Sequence, residues 1–189
     1  MAATAGKILD IAERLVQTRG YNGFSYADIS SELRIRNASV HYHFPSKTDL
    51  GRRLVARYRE NFMAALAGLE QDSLDARRRL RAYVAIWTRV LRDRDRMCLC
   101  GMMAADIASL PRSVRSEIRS FFDENEAWLV RVIRAGSRAG TLKLAGSAEV
   151  EARLLTMGLE GAMLVARSYG EVRRFEEIAA RLLSGLGIR

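Results

Sequence analysis

The sequence predicts an all-α protein of about nine helices. Apolar residues recur at three- and four-residue spacing along almost the whole chain, which is the period of an amphipathic helix. No segment shows the alternation of polar and apolar residues that marks a half-buried strand. Only two of the 189 residues are proline, so the helical periods are rarely interrupted.

The first helix is predicted over about residues 4–19. Its apolar positions follow the helical period: Ile8, Ile11, Ala12, Leu15 and Val16. Gly20 comes directly after this pattern, and helices commonly end at glycine because it adopts left-handed backbone angles without strain. The segment therefore supplies one long helix that buttresses the short elements after it.

The second helix is short, over about residues 26–33. Ser25 precedes it, and a serine hydroxyl can accept a hydrogen bond from an unpaired N–H group of the first helical turn. Asp28, three residues later, completes the residue pair of a capping box. Ile29 and Leu33 are then expected to point inward.

The third helix follows after a connection of only three residues, 34–36. Asn37 is predicted to cap it, and it should run to about Phe44, since Pro45 cannot continue the hydrogen-bond pattern. Two short helices joined by a tight turn and preceded by a longer helix have the arrangement of a helix-turn-helix.

The fourth helix is long, from a cap at Ser46 to about Leu69, with Asp49 again three residues after the cap. One apolar stripe runs along it: Leu50, Leu54, Tyr58, Phe62, Ala65, Leu66 and Leu69. No low-complexity linker interrupts this segment, so the N-terminal helices are expected to continue through it into the rest of the chain.

The later part of the chain is predicted to form further helices over about residues 77–92, 112–138, 147–169 and 171–186, with a mostly apolar stretch at 97–110. Pro111 suits the start of the segment 112–138, and Gly170 suits the break before the segment 171–186. The clearest loop lies at residues 140–146.

The net charge of +9 is typical of a protein with a polyanionic partner, but the distribution of the charged residues does not by itself indicate a function. Residues 1–55 hold eight basic against five acidic side chains, and the densest run of arginines, within 77–96, is expected to be a solvated helix face. The most apolar run, 157–166, is broken by Glu160 and is too short to span a bilayer, which takes roughly 20 residues. The first residues lack the features of a signal peptide, so we expect no membrane partner and a cytoplasmic location.

The segment 37–47 concentrates polar, aromatic and basic groups in eleven residues. Val40 and Phe44 lie four apart and can anchor the third helix inward. The outward positions would then be Asn37, Ser39, His41, Tyr42 and Lys47. These side chains offer hydrogen-bond donors and stacking surfaces of the kind that a nucleic acid can engage.

Two stretches of this region, residues 23–29 (Gly-Phe-Ser-Tyr-Ala-Asp-Ile) and 38–50 (Ala-Ser-Val-His-Tyr-His-Phe-Pro-Ser-Lys-Thr-Asp-Leu), resemble the TetR/AcrR family of repressors. The resemblance covers about residues 8–55, and the remainder agrees in length and helical pattern. It implies a helix-turn-helix DNA-binding domain at 1–52 and a helical ligand-sensing and dimerisation domain at 53–189. The implied function is a repressor that binds a palindromic operator as a homodimer and is released by a small-molecule inducer.

The resemblance also implies roles for individual side chains. Ser25 and Tyr26 would contact the DNA backbone, and Asn37, Ala38 and Tyr42 would face base edges. Phosphate binding or its support would come from Ser39, His41, His43 and Lys47, with Lys47 at a helix N-terminus where the dipole favours an anion. Arg36 completes the predicted DNA-binding set.

Three positions depart from the family pattern. Arg34 replaces the usual glycine of the turn, so the turn should be strained or differ in geometry. Arg36 replaces a small capping residue, so capping should pass to Asn37. His41 replaces a common tyrosine and offers an imidazole in place of a hydroxyl.

The last two helices are predicted to form the dimer interface, because a single chain cannot obviously bury both of their apolar stripes. The interface residues are Leu154, Gly158, Gly161, Leu164, Phe175, Ile178 and Leu182. Gly158 and Gly161 would let a partner helix approach closely, and two helices from each of two chains make a two-fold four-helix bundle. The alternative is that these glycines relieve crowding inside one chain.

An inducer pocket is implied by the family resemblance, and the inducer is expected to be apolar or aromatic. Its candidate lining consists of bulky or adaptable side chains: Trp87, Met97, Cys98, Met102, Met103, Phe121, Phe122, Trp128 and Met157. The alternative is that most of these residues are ordinary core.

Cys98 and Cys100 suggest a second mode of sensing, in which a thiolate reacts with an electrophile or oxidant. Arg94 and Arg96 nearby would lower a thiol pKa, whereas burial in an apolar run would raise it. The alternative is that the two cysteines are small buried hydrophobic residues.

An enzyme is disfavoured, because both histidines lie in the predicted reading helix and no nucleophile, metal or phosphate-loop motif is present. We expect neither a metal nor a cofactor. A helical interaction module that does not bind DNA, using the arginine-rich segment, remains as a further alternative.

Overall fold

The computed structural model describes residues 2–71, 75–93 and 96–188, and within these ranges the chain is all-α. Nine α-helices are present there: α1 (Ala2–Arg19), α2 (Tyr26–Leu33), α3 (Asn37–His43), α4 (Lys47–Gln71), α5 (Ala76–Arg92), α6 (Leu99–Ala105), α7 (Arg112–Arg138), α8 (Ala148–Tyr169) and α9 (Val172–Gly185). Single 3₁₀ turns lie at Tyr21–Gly23 and Ile107–Ser109. The predicted fold class is confirmed. None of the helices in the described ranges is long and apolar enough to cross a membrane.

The capping signals acted as predicted at two helix starts. At α2, the Asp28 carboxylate accepts hydrogen bonds from the backbone N–H and the hydroxyl of Ser25, both at 2.7 Å. At α4, the Ser46 hydroxyl donates to Asp49 at 2.6 Å and accepts from the Asp49 N–H at 3.1 Å. These contacts satisfy N–H groups that the helix itself cannot pair.

The predicted cap of α3 was wrong. Arg36 occupies the capping position, with extended backbone angles, and Asn37 is the first helical residue. No side chain caps this helix, although the Ser39 N–H still donates to the Arg36 carbonyl at 2.9 Å. Asn37 consequently lies in the first turn of α3 with an exposed side chain.

The contacts of the chain divide it into two compact units. The N-terminal unit comprises the described residues of Met1–Glu60 together with Cys98–Phe121. In it α1 packs against α2 and α6, and α2 packs against α3. Its fully buried side chains include Ile8, Val16, Ile29, Val40 and Leu50. The predicted division into domains 1–52 and 53–189 concerns function as well as packing, and it stays a prediction.

The C-terminal unit comprises Asn61–Met97 and Phe122–Arg189 as far as they are described, and its most extensive helix pair is α8 with α9. Gly158 permits the close approach of these helices, because a Cβ atom there would lie only 2.7 Å from a methyl carbon of Leu182. Phe175 of α9 is completely buried. At Gly158 the glycine therefore relieves crowding inside one chain, which was the alternative interpretation of the sequence.

Candidate nucleic-acid interface

The turn between α2 and α3 keeps a left-handed residue even though glycine is absent. Arg34 has φ 55° and ψ 42°, and in the described ranges it is the one residue other than glycine with a positive φ. The Ile35 N–H donates to the Ser30 carbonyl at 3.0 Å, which closes the turn. A left-handed conformation costs a residue with a Cβ atom roughly 1–2 kcal/mol. The turn is thus strained, and its geometry is maintained by the packing on either side.

The inner side of α3 is anchored in the N-terminal unit. Val40 is fully buried and Phe44, which follows the helix, is also buried, as the sequence predicted. The Phe44 carbonyl accepts a hydrogen bond from the Tyr26 hydroxyl at 2.9 Å. These contacts hold one face of the short helix and leave the opposite face exposed.

Tyr26 packs against α3 from inside the N-terminal unit and is not a surface residue. Its side chain is buried, and its ring centre lies 4.6 Å from that of His41. Burial, together with the negative charge of Asp49 and the nearby Tyr21, raises the pKa of Tyr26 to about 12. Because the hydroxyl proton is donated to Phe44, the structure gives Tyr26 a positioning role in place of the phosphate contact expected from the sequence.

The outer side of α3 carries exposed polar and aromatic groups. The side chain of Tyr42 is 71% exposed, and its ring centre lies 5.3 Å from that of His43. Among the other residues predicted to contact DNA, the exposed ones are Arg36, Asn37, Ala38 and His41. The partly buried ones are Ser39 and His43. A large exposed aromatic ring beside an amide and two imidazoles is suited to the edges and sugars of a DNA groove.

Lys47, the first residue of α4, is held by the segment before α2. Its ammonium donates to the Phe24 carbonyl and lies 4.3 Å from the Phe24 ring centre and 5.0 Å from that of Tyr21. The Tyr21 hydroxyl donates to the Lys47 carbonyl at 2.7 Å. Burial lowers the pKa of Lys47, and the Asp28 charge opposes this effect. An ammonium has three N–H groups, so the bond to Phe24 orients the charge and leaves donors for a phosphate.

The sequence analysis did not single out Arg52 and Arg53, which are exposed on α4. Both line a surface cleft of about 650 Å³ together with His43. Arg57 also lines the cleft, but its guanidinium is engaged by Asp10 at 2.8 Å and Glu13 at 3.1 Å. Consecutive arginines just after the Ser-Lys helix start were the available signal.

The predicted dimer-interface residues divide into two groups. Leu164 is 57% exposed, Leu154 55% and Ile178 47%, and a Cβ atom on the exposed Gly161 would meet no other atom within 4 Å. In contrast, Phe175 belongs to the core of the chain, and Gly158 and Leu182 are packed against each other. The prediction is thus wrong for Phe175 and for the role of Gly158, while the exposed positions define an unpartnered apolar face on α8.

The candidate pocket residues are not all in one place. Met157 is 68% exposed on the outer face of α8, whereas most of the other candidates are buried, and its assignment to a pocket stays a prediction. Trp87, Met97, Phe122 and Trp128 belong to the C-terminal unit. The remaining candidates, Cys98, Met102, Met103 and Phe121, belong to the N-terminal unit.

Cys98 and Cys100 are both buried, and neither forms a disulfide. The Cys98 sulfur accepts a hydrogen bond from the Gly101 N–H at 3.5 Å. Arg96 pairs with Asp93 at 3.0 Å, and Arg94 lies outside the described residues. Reaction of a thiol requires access as well as thiolate, so this burial agrees with the structural interpretation of the two cysteines.

A strained turn, an anchored short helix and an exposed polar face together define the class of protein: it is a helix-turn-helix DNA-binding protein. Residues 8–54 match the family of bacterial regulatory proteins called tetR, and residues 76–182 match the tetracyclin repressor-like C-terminal domain. The chain belongs to the TetR family.

Individual relatives agree with this assignment. A TetR-family transcriptional regulator from Agrobacterium tumefaciens is 39% identical, with a TM-score of 0.94 over 98% of each chain. The HTH-type transcriptional repressor DhaR of Mycobacterium sp. (strain GP1) is 25% identical over 147 residues, 77% of this chain and 73% of DhaR. The negative transcriptional regulator IcaR of a Staphylococcus aureus biofilm operon is 26% identical over 132 residues, 64% of this chain and 70% of IcaR.

The protein is therefore a transcriptional regulator of the ligand-responsive TetR type. Regulators of this family bind DNA operators and small molecules, and they dimerise. The comparisons favour neither a thiol-based sensor using Cys98 and Cys100 nor a helical interaction protein that does not bind DNA.

Proposed function

We propose that this regulator is a repressor that binds a palindromic operator as a homodimer and releases it when a small molecule binds. The observation that carries the proposal is the outer face of α3, where Tyr42 is 71% exposed above a helix anchored by buried Val40 and Phe44. A helix held from one side with polar groups on the other is suited to the major groove. The proposed partner, chromosomal DNA, implies a cytoplasmic site of action.

In the proposed complex Asn37, Ala38 and Tyr42 face base edges, because they lie on the exposed side of α3. The phosphate contacts come from exposed or partly buried polar groups: Ser25, Arg36, Ser39, His41, His43 and Lys47. Arg52 and Arg53 extend this basic surface along α4. Phosphate contacts set the register of the protein on DNA, whereas base contacts set the sequence that it prefers.

The proposed dimer is formed by the outer face of α8 with Ile178 of α9. Leu154, Met157 and Leu164 are each more than half exposed, and such a continuous apolar stripe is rare on the surface of a monomer. A second copy is the occupant that suits it, since family members dimerise and a two-fold axis would present two copies of α3 to a palindromic site.

The decisive experiment is fluorescence anisotropy with labelled DNA from upstream of the protein's own gene, at several salt concentrations, with shuffled DNA of equal length as the control. We expect saturable binding at two chains per site, or a multiple of two, with a preference for the upstream DNA. The salt dependence should be steep, because each phosphate that is neutralised releases counterions.

Equal binding to both DNAs would contradict the proposal and leave a basic protein without an operator. Saturation at one chain per site would contradict the dimer alone. Retained operator binding under every small molecule tested in excess would argue against release by an inducer, while the same protein's DNA binding would stand.

A further inference from the structure

Several polar groups are buried together in the core of the C-terminal unit, at positions that the sequence analysis did not single out. Asn125 of α7 is completely buried, and its amide nitrogen donates to the Tyr83 hydroxyl of α5 at 3.1 Å. Thr156 of α8 is also buried. Tyr83 is completely buried, and burial raises its pKa well above the usual range, an effect that the charge of Glu160 increases.

Aromatic rings surround these polar groups. The Tyr83 ring is stacked on Trp128 with centres 5.7 Å apart and an angle of 23°. The Trp87 ring meets Tyr83 edge-on at 5.9 Å, and Phe62 of α4 meets both Tyr83 and Trp87 edge-on at 6.3 Å. Helices α4, α5, α7 and α8 of the C-terminal unit thus contribute to one cluster, which we call the aromatic–amide cluster and define as Phe62, Tyr83, Trp87, Asn125, Trp128, Thr156 and Glu160.

Trp87 and Thr156 hydrogen-bond with the Tyr83 hydroxyl. Two buried polar atoms of this cluster have no hydrogen-bond partner within the described part of the chain: Trp128 Nε1 and Asn125 Oδ1. Exchanging the oxygen and nitrogen of the Asn125 amide does not remove the problem, since one of the two atoms would still be unpaired. Buried polar groups are nearly always paired in native proteins, and each unpaired one calls for an explanation. Two within one cluster indicate groups that pair with a bound molecule.

The atoms define the chemistry of that molecule. An indole N–H can only donate, so Trp128 calls for an acceptor oxygen on the ligand. The Asn125 oxygen can only accept, so it calls for an O–H or N–H on the ligand. The rings favour a flat aromatic body, which can insert between stacked side chains with the least separation of the helices. Charge is disfavoured, because a buried site excludes an unpaired ion and Glu160 repels an anion.

We infer that the aromatic–amide cluster binds the inducer, and that the inducer is a neutral planar aromatic molecule with at least one acceptor oxygen and one hydrogen-bond donor. This inference rests on the proposed function, in that it names the ligand class to which the repressor responds. It modifies the sequence-based expectation of a merely apolar or aromatic ligand by adding polar groups at defined positions.

Binding can be measured by calorimetric titration with two probes of nearly equal shape. Para-hydroxyacetophenone has a hydroxyl and a carbonyl, whereas para-ethyltoluene carries methyl and methylene groups in their place. We expect saturable binding of the oxygenated probe and at least tenfold weaker binding of the hydrocarbon, because an unpaired buried group rejects the ligand that lacks its partner. Trp87 and Trp128 are the only tryptophans of the chain, so quenching of intrinsic fluorescence should follow the same saturation curve.

Variants locate the site. Asn125→Leu and Trp128→Phe each remove one unpaired atom, and we expect both to weaken binding of the oxygenated probe about tenfold or more. Circular dichroism of each ligand-free variant checks that it is folded, so that weaker binding reports the lost polar atom. The matched control is Thr88→Val in α5, whose hydroxyl already donates to the Val84 carbonyl at 3.1 Å, and it should leave probe binding unchanged.

Equal affinity for both probes, no binding of either, or wild-type affinity in Trp128→Phe would overturn the inference. Operator binding is measured separately without a probe. If operator binding is normal and the probe does not bind, the ligand assignment fails alone. If the probe binds and the operator does not, the proposed repressor fails while the binding site stands.

Discussion

Two helices of this protein, α3 and α8, have an exposed face whose side chains are not packed in the core. The two exposed faces differ in chemistry. On α3 the exposed face presents Asn37, His41 and Tyr42, all of which carry polar atoms. On α8 the exposed face presents Leu154, Met157 and Leu164, which carry none that hydrogen-bond strongly. Both faces lie opposite a well-buried side of the same helix.

The difference indicates what each face binds. Polar groups lose little by being exposed, and they gain directional bonds when a groove with donors and acceptors covers them. Apolar groups gain by leaving water, so their natural partner is another apolar surface, which in the proposed dimer is a second copy of α8. The same helical architecture thus supports DNA recognition in one region and self-association in another, and the side chains of the outward face decide between them.

The strongest test of the comparison places a charge on the α8 face. Leu164→Glu should give monomers, because a carboxylate at the interface loses its water. Operator affinity should then fall about a hundredfold to ten-thousandfold, since the helix-turn-helix domains of two protomers are no longer linked and no longer bind the operator together. Sedimentation velocity and DNA anisotropy measure the two effects.

The matched control for this variant is Ala180→Glu, which adds the same charge at an exposed position of α9 away from Ile178. It should remain dimeric and bind the operator normally. A dimeric Leu164→Glu protein would show that the α8 face is not the interface.

The corresponding test on α3 removes its most exposed aromatic ring. Tyr42→Ala should weaken operator binding by about 1–3 kcal/mol without affecting the dimer, because a contact at the groove is lost. Tyr169→Ala removes another exposed tyrosine, one whose ring lies 3.9 Å from the Arg174 guanidinium, and should leave DNA binding unchanged while the protein stays dimeric. Equal operator affinities of Tyr42→Ala and the wild type would show that Tyr42 does not contribute to DNA binding.

A smaller effect separates the reading face of α3 from the support beneath it. Tyr26→Phe leaves the Phe44 carbonyl without its hydroxyl donor, so the free energy of unfolding should fall by about 1–3 kcal/mol. Operator affinity of the folded protein should change less than the stability does. The opposite result, with unchanged stability in urea denaturation and weaker DNA binding, would instead support the phosphate contact of Tyr26 that was predicted from the sequence.

The smallest effect concerns the turn that presents α3. Arg34→Gly should raise the free energy of unfolding by up to about 1 kcal/mol, because relief of the left-handed strain exceeds the entropy that glycine adds to the unfolded chain. Arg36→Gly is the control: its backbone is extended, with φ −69°, so glycine there should only destabilise. Thermal unfolding of both variants measures the difference, and destabilisation by Arg34→Gly would show that its side chain matters more than its backbone.

Much of the fold could be predicted because its signals are local. The capping pair of Ser25 and Asp28 and the break at Gly170 each act within one helical turn, and the structure follows them. The cap at Asn37 was wrong, because Arg36 has the extended backbone of the capping position and Asn37 is already helical, whatever the capping preference of its side chain. The stretch 97–110 divides into α6 and a 3₁₀ turn, a break that its continuous apolar character conceals.

The candidate site was less predictable, because its residues differ in which way they face. Tyr26 and Tyr42 are both tyrosines of short helices, yet one is buried against Phe44 and the other is exposed. Phe175 and Ile178 lie three apart on α9, and one is core while the other is surface. Helical period gives the relative angle of two residues and leaves open which of them meets the neighbouring helix.

The helical class, the capped starts of α2 and α4, and the motif that indicates DNA binding could all be predicted from the sequence, since each depends on residues close together in the chain. Three further features became apparent in the folded chain: Arg34 retains a left-handed turn, Gly158 serves the α8–α9 contact, and Asn125, Tyr83 and Thr156 share one buried cluster. The physical reason is that pairing and burial depend on side chains brought together from distant helices. A polar atom is known to be unpaired only when every neighbour that could pair with it is in place.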